Sequence, residues 1–247
     1  KQVEVVHLMS HWTLINIVVY FFARYHKKQY TFCPAGTLHI FGRSVRLKKL
    51  YNYFIGTRII KNAYRCIAIT ELEKKDFLEH SISESRIVII PNGIDADEFQ
   101  PNRSAGSAFR RRFELTDIPF VLYMGRLNLI KGPDLLLKAY EKLLPEFPGL
   151  HLVFAGTDEG LGVELKREID QESIGDRVHL IGYIGGEDKV AAYAEAELLA
   201  VPSRREAMSI VALEAGACGT PVLLTTGCGF DEVKEAGCEV VSPDVLE

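Results

Sequence analysis

Between Val5 and Thr70 the sequence contains no aspartate and no glutamate, although ten lysines and arginines fall in the same stretch. That absence removes carboxylate acid–base chemistry and carboxylate metal sites from the first quarter of the chain. A stretch of one sign suits an anionic partner instead, such as acidic lipid headgroups, a pyrophosphate-linked acceptor or nucleic acid. Cysteine is sparse as well. Cys33, Cys66, Cys218, Cys228 and Cys238 are odd in number and form no C-x-x-C pair, so they are most simply read as reduced thiols, and Cys228 and Cys238 have no nearby histidine arrangement that suggests zinc. Reduced, mostly buried thiols in a cytoplasmic protein are expected. Long apolar runs are missing too: the longest, Ile17–Ala23, is far too short to cross a bilayer. There is no internal repeat and no low-complexity tract, and no signal peptide is expected.

What is present is an α/β pattern. Strand candidates at Val3–Leu8, Tyr30–Cys33, Cys66–Thr70 and Arg86–Ile90 alternate with helical stretches near Thr13–His26, Ser44–Tyr64 and Glu71–His80. Pro91-Asn92-Gly93 is a turn, and Asp95–Asp117 is polar with no clear strand. A second alternation starts at Phe120–Met124 and continues through Leu152–Ala155, Val178–Ile181, Leu198–Val201, Val222–Leu224 and Glu239–Val241. Repeated strand–helix order implies parallel sheets covered on both faces, and the break near 99–118 implies two of them. The expected division is a first domain over 1–98, a linker over 99–118 and a second domain over 119–247.

The densest information lies in Val201–Leu224, VPSRREAMSIVALEAGACGTPVLL. It reads strand, loop, helix, turn, strand, with Glu206 and Glu214 eight positions apart. A helix opening behind a strand aims free N–H groups and its positive dipole end above the sheet, where phosphates bind. Two carboxylates so placed can take hydroxyls at the two ends of one elongated ligand. Ser203-x-x-Glu206 also fits a capping box, in which Glu206 only satisfies a helix start. A second strand–loop–helix unit pairs Phe120–Met124 with Gly125, Arg126 and Lys131-Gly132-Pro133. Two cations in such a loop can meet a diphosphate, Arg as a fork and Lys as a point charge. They can equally be solvated loop charges.

These two segments together resemble family 4 retaining glycosyltransferases, whose E-x7-E signature includes the Pro-Ser, both glutamates, the Leu-Glu-Ala and the Gly-Thr-Pro-Val. The match departs at Ala207, Met208 and Ser209, where a Gly-Phe-Gly-like run is usual. Ile90-Pro91-Asn92-Gly93-Ile94-Asp95 looks like that family's exit from its acceptor domain. VVHLMSHWTLIN with Cys33-Pro34-Ala35-Gly36-Thr37-Leu38 looks like the middle of that domain. The resemblance implies a GT-B fold, with two Rossmann-like domains facing across a cleft. It also implies that the opening strand with its Gly-rich loop and the closing helices are absent, so that the chain is a fragment with an incomplete N-terminal domain.

The function so implied is a retaining, metal-independent transfer of a sugar from a nucleotide diphosphate sugar to an acceptor hydroxyl. No cofactor is expected, and the product is expected to serve cell-surface polysaccharide or glycolipid synthesis. Glu214 is expected to bind the ribose and Glu206 the donor sugar. Arg126, Lys131 and the N–H groups of Met208, Ser209 and Ile210 are expected to hold the diphosphate. The family also brings a loop histidine near the donor sugar, usually as His-x-His, and the second position here is Met9. His11, beside Trp12, is the more loop-like replacement, while His7 reads as a core histidine. Their H-x-x-x-H spacing lacks a third ligand for zinc. Asp95-x-Asp97 follows a turn rather than a nucleotide-site strand, so it is discounted as a metal pair. Gly227-Cys228-Gly229 is too short for a dinucleotide fingerprint, though such a loop can border sugar or phosphate.

Two other readings stay open. A nucleotide-sugar 2-epimerase would need acids and bases that residues 5–70 lack, and a non-catalytic nucleotide-sugar-binding protein would need only the binding groups. Arg43, Arg46, Lys48 and Lys49 run into Tyr51, Tyr53 and Phe54 at the head of an amphipathic helix. That stretch is either a peripheral contact with an anionic membrane at the inner face or a solvated helix face. No nucleic-acid motif accompanies the charge.

Overall fold

The computed structural model describes residues 3–40, 44–229, 233 and 238–243. The chain divides into two compact units, Lys1–Asn92 and Gly93–Glu247. In the first unit, β1 (Val5–Met9), α1 (Leu14–Tyr25), β2 (Gln29–Cys33), α2 (Val45–Tyr51), α3 (Thr57–Asn62), β3 (Arg65–Ala68), α4 (Glu71–Glu79) and β4 (Ile87–Ile89) follow one another. The four strands form a parallel sheet in sequential order. Phe32, Cys66 and Ala68 on the strands pack against Ile59, Ile60 and Phe77 on the helices, all fully covered.

The Ser44–Tyr64 stretch is not one regular α-helix. A π-helical segment, Asn52–Gly56, joins α2 to α3, and the helical run stops at Asn62. Gly56 belongs at this wider turn because a Cβ there would run into Asn52 and Tyr51. Arg43 lies outside the described residues.

The second unit comprises α5 (Arg103–Arg112), β5 (Phe120–Met124), α6 (Pro133–Leu143), β6 (His151–Ala155), α7 (Gly162–Gln171), β7 (Val178–Gly182), α8 (Gly186–Glu195), β8 (Leu198–Val201), α9 (Ile210–Ala217), β9 (Val222–Thr225) and β10 (Glu239–Val241). Its sheet is parallel, in the order β10-β9-β8-β5-β6-β7. From β5 the chain winds outward through β6 and β7, then returns to lay β8 on the other side of β5. The neighbours β5 and β8 therefore form a topological switch point, and the crevice beyond their carboxyl ends is where open α/β sheets bind ligands.

Residues 99–118, expected as a linker, are a structured part of this second unit. Phe99, Phe109 and Leu115 belong to its buried core. Arg110 donates to the carbonyls of Leu115, Ile118 and Glu195 and pairs with the Glu195 carboxylate. Gly106 lets α5 lie directly against Glu195 of α8. The segment looks polar because Arg103, Arg111 and Arg112 cover its outer side, while the residues that bury it are few and widely spaced. Among the described residues no helix is long and apolar enough to cross a membrane.

Candidate active site

Both loops singled out from the sequence leave adjacent strands at the switch point. After β5, Gly125 N–H bonds to Ala155 O and Leu127 N–H to Thr157 O, tying the start of the loop to the neighbouring strand. Tyr123, buried, donates its hydroxyl to Arg126 O at 2.8 Å. Asn128 then closes a turn by accepting the Lys131 N–H at 3.0 Å. Gly132 follows at φ +68°, and a Cβ there would overlap the Pro202 carbonyl, so only glycine fits this crossing of two loops. Pro133 starts α6 at its first position, where no N–H is needed.

After β8, Ser203 is buried and donates to Glu206 Oε2 at 3.1 Å. The Glu206 N–H bonds to Gly227 O at 2.7 Å, so the Gly227-Cys228-Gly229 loop holds Glu206 through the backbone. Lys131 Nζ lies 2.5 Å from Glu206 Oε1, with both side chains largely covered. Tyr123, Gly125, Arg126, Lys131, Ser203 and Glu206 help to line one cavity of about 210 Å³. The helix begins only at Ile210, directly after Ser209, so Glu206 lies in the loop and does not cap a helix.

Met208 and Ser209 are buried, and Ile210 is the first residue of α9. The Ser209 hydroxyl is covered and has no hydrogen-bond partner, and it makes no cap bond to the helix. Val211 of α9 lines the same cavity as Lys131, whereas Met208, Ser209 and Ile210 are not among its lining residues. A helix start without a side-chain cap leaves N–H groups of the kind that bind phosphate. Arg126 reaches the rim of this cavity. Its Nη1 lies 3.2 and 3.0 Å from the Glu159 oxygens, and Asn128 donates to the same carboxylate at 2.9 Å. The Asn128 bond, followed by the Arg126 charge, holds the Glu159 carboxyl below the usual range.

Glu214 sits on α9 and faces a second cavity of about 630 Å³, whose lining includes Phe99, Gln100, Asn102, Tyr183 and Lys189. Lys189 Nζ approaches its two oxygens at 2.7 and 2.6 Å, and Tyr193 donates to Oε2 at 2.6 Å. Burial, then the hydrogen bond to Glu214 and its charge, raises the Tyr193 phenol far above its ordinary value, so it acts as a donor. Sequence reasoning missed this pair. Lys189 and Tyr193 are four apart on α8 and share one helix face, which is the signal available in advance. The structure thus places Arg126, Lys131 and Glu206 around one cavity and Glu214 on the next, with α9 serving both.

In the first unit the burial of the two histidines is the reverse of that expected. His7 is exposed on β1 and bonds through Nδ1 to Thr31 Oγ1 at 2.6 Å. His11 is fully buried, with ring contacts to Trp12, Phe32 and Tyr51. The reason is local. His11 N–H bonds to Thr37 Oγ1 at 2.8 Å, and its Nε2 lies 2.7 Å from Asn52 Oδ1 in the π-helical segment. Glu73 fixes the same neighbourhood by accepting the N–H groups of Gly36 and Ile69 at 2.6 and 2.8 Å. Among the described residues, His11 Nδ1, Thr13 Oγ1 and Tyr51 Oη are buried without a hydrogen-bond partner. Asp95 accepts the Asp97 N–H at 3.1 Å and caps a short 3-10 turn, Ala96–Phe99.

Burial lowers the His11 pKa to about 4, against the opposing Asn52 hydrogen bond, and His80 adds to the lowering. The unfolded chain, with an ordinary histidine value near 6.5, therefore takes up a proton that the folded chain refuses. The His11 contribution to stability should be constant above pH 7 and fall as the pH drops from about 6.5 to about 4. Relative to pH 8, the loss at pH 5 should be about 2 kcal/mol from this residue. Urea unfolding of wild type and His11→Gln at both pH values measures it. A difference between them that is independent of pH excludes the mechanism.

Comparison with known proteins identifies the family and the fold. Residues 107–241 match the glycosyl transferases group 1 family, and residues 1–98 match glycosyltransferase family 4. The chain belongs to the family 4, group 1 glycosyl transferases. Over 172 residues it is 38% identical to a D-inositol 3-phosphate glycosyltransferase of Mycolicibacterium smegmatis, covering 67% of this chain and 38% of that protein. A protein of the same name from Corynebacterium jeikeium is 36% identical over 191 residues, 73% of this chain and 45% of its own length. The chain thus spans less than half of the length of these relatives. Among solved structures, Anabaena HepE in complex with UDP superposes with a TM-score of 0.82 at 19% identity, over 97% of this chain and 65% of that one. Sucrose-phosphate synthase from Thermosynechococcus elongatus gives 0.77 at 25% identity, over 98% and 61%. The two parallel sheets are those of the GT-B glycosyltransferase fold.

Proposed function

We propose that the chain carries the donor site of a retaining glycosyltransferase that takes a nucleotide diphosphate sugar and transfers the sugar to an acceptor hydroxyl. The observation that carries the reading is the corner at the β5–β8 switch point, where Lys131, Glu206 and the uncapped start of α9 meet. The Anabaena relative of the same fold is seen with UDP and with UDP-glucose, which supports a nucleotide diphosphate as the ligand of this corner. In this reading the ribose lies on Glu214 and the sugar against Glu206. Lys131 leaves Glu206 for the diphosphate, and Arg126 leaves Glu159 for it.

The chemistry is electrostatic. Negative charge grows on the leaving diphosphate as the glycosidic bond breaks, and donors aimed beforehand stabilise that state more than the ground state. Lys131, Arg126 and the α9 N–H groups supply them here without a metal. His11, neutral at physiological pH, anchors its own loop in the first unit through Thr37 and Asn52. The experiment is a thermal-shift and transfer screen of UDP, GDP and ADP with their sugars, with and without EDTA. A ligand that binds the native state raises the melting temperature by mass action. The reading expects one diphosphate to stabilise the protein and EDTA to change nothing. A strict Mn²⁺ or Mg²⁺ requirement contradicts the metal-independent step.

The acceptor is proposed to be membrane-associated, in the synthesis of a surface polysaccharide or glycolipid. Supporting this, α2 has no buried residue, and Leu47, Leu50, Tyr53 and Phe54 are exposed alongside Arg46 and Lys49. Lys48 lies over the Trp12 ring at 5.5 Å. Cations near an anionic surface contribute about 1 kcal/mol each, screened by salt. Co-sedimentation with anionic vesicles should be strong at low salt and fall at high salt. It should weaken at least tenfold when Arg46, Lys48 and Lys49 become Gln. Equal binding to neutral vesicles shifts the acceptor to a soluble molecule.

A further inference from the structure

We propose that Arg204 and Asp134 are positioning residues, a clamp that fixes the separation of the two loops bearing Lys131 and Glu206. The inference rests on the nucleotide-binding reading above. Arg204 presents its fork to Asp134, Nη1 to Oδ1 at 2.7 Å and Nη2 to Oδ2 at 2.6 Å. Nη1 also donates to Leu129 O at 2.8 Å, and the Arg204 backbone N–H donates to Ile130 O at 2.8 Å. Both partners are mostly covered, so the pair is less screened by solvent than a surface ion pair.

Position makes this more than a stabilising contact. The sheet fixes β5 against β8 only as far as the pairing of Leu122 with Leu199. Lys131 and Glu206 lie well beyond those strand ends. Asp134 is three residues after Lys131, Arg204 is two before Glu206, and Gly132 packs on the Pro202 carbonyl between them. When a diphosphate separates Lys131 from Glu206, the one side-chain bond joining those two residues is lost. The clamp then keeps the loops at the spacing that lets Lys131 meet phosphate and Glu206 meet the sugar. Arg is required for the forked geometry, which Lys cannot reproduce.

Affinity measured for two ligands separates positioning from general stability: whichever of UDP, GDP and ADP the wild type binds, and its bare nucleoside. Arg204→Lys and Asp134→Asn should each weaken diphosphate binding about tenfold and leave nucleoside binding unchanged, because only the diphosphate spans the clamped loops. The exchanged pair, Arg204→Asp with Asp134→Arg, should recover part of the loss. The clamp is overturned if both ligands weaken together in step with the melting temperature, if neither weakens, or if the exchanged pair is as poor as the sum of its parts. Wild-type protein that binds none of the three diphosphates removes the nucleotide reading, and the clamp's role with it.

Discussion

Lys131→Ala is expected to lower sugar transfer by about 10²–10³-fold, the cost of removing one pre-aimed donor from a developing anion. Two effects add. The ammonium proposed to meet the leaving diphosphate is lost, and Glu206 is left mostly buried with Ser203 as its remaining side-chain partner among the described residues. The second effect raises the cost of bringing another anion into the same corner, since like charges repel most strongly where water is excluded. Arg126→Ala should act in the same direction but more weakly, because its pair with Glu159 is half exposed and its charge sits at the rim. Neither change should alter the affinity for a bare nucleoside. Steady-state kinetics with the preferred donor, together with nucleoside binding, checks both statements. A Lys131→Ala enzyme of unchanged kcat/KM removes the lysine from the diphosphate site.

The second large effect belongs to Glu214. Glu214→Gln keeps the shape but removes the charge, and should weaken nucleoside and nucleoside diphosphate binding alike by about 1–3 kcal/mol, the range for a hydrogen bond to a charged group or a partner left unpaired. The carboxylate takes a phenol from Tyr193 and an ammonium from Lys189, so the substitution also leaves Lys189 without its counter-charge at the cavity wall. Glu206→Gln should reduce transfer and leave nucleoside binding intact. Calorimetric titration of the two variants with diphosphate and nucleoside distinguishes the roles. Equal losses of nucleoside affinity for both glutamates contradict the division between ribose and sugar.

These effects were legible in the sequence only where residues act close to one another along the chain. The Gly125–Gly132 loop, the two glutamates and the order of strands follow from short patterns, because a strand followed by a glycine-bearing turn and a helix fixes where its side chains emerge. The partners of those side chains do not follow. Glu159 meets Arg126, Lys189 meets Glu214 and Asp134 meets Arg204 through the winding of the sheet. No local pattern reports a pairing 33, 25 or 70 residues away. The stretch 99–118 failed for a different reason. Helix α5 carries a run of arginines, so composition reads as a solvated linker although Phe109 is fully covered. His11 does lie in the loop between β1 and α1, as read from the sequence, but its burial was not legible, because Phe32, Tyr51 and Asn52 reach it from distant parts of the chain.

The most direct measurement is a crystal structure of the protein with the nucleoside diphosphate that stabilises it. The account predicts phosphate oxygens within hydrogen-bond distance of Lys131 Nζ and of the first N–H groups of α9, with the Lys131–Glu206 pair opened and the ribose hydroxyls on Glu214. A diphosphate held elsewhere, or bridged by a divalent metal while Lys131 remains on Glu206, contradicts it.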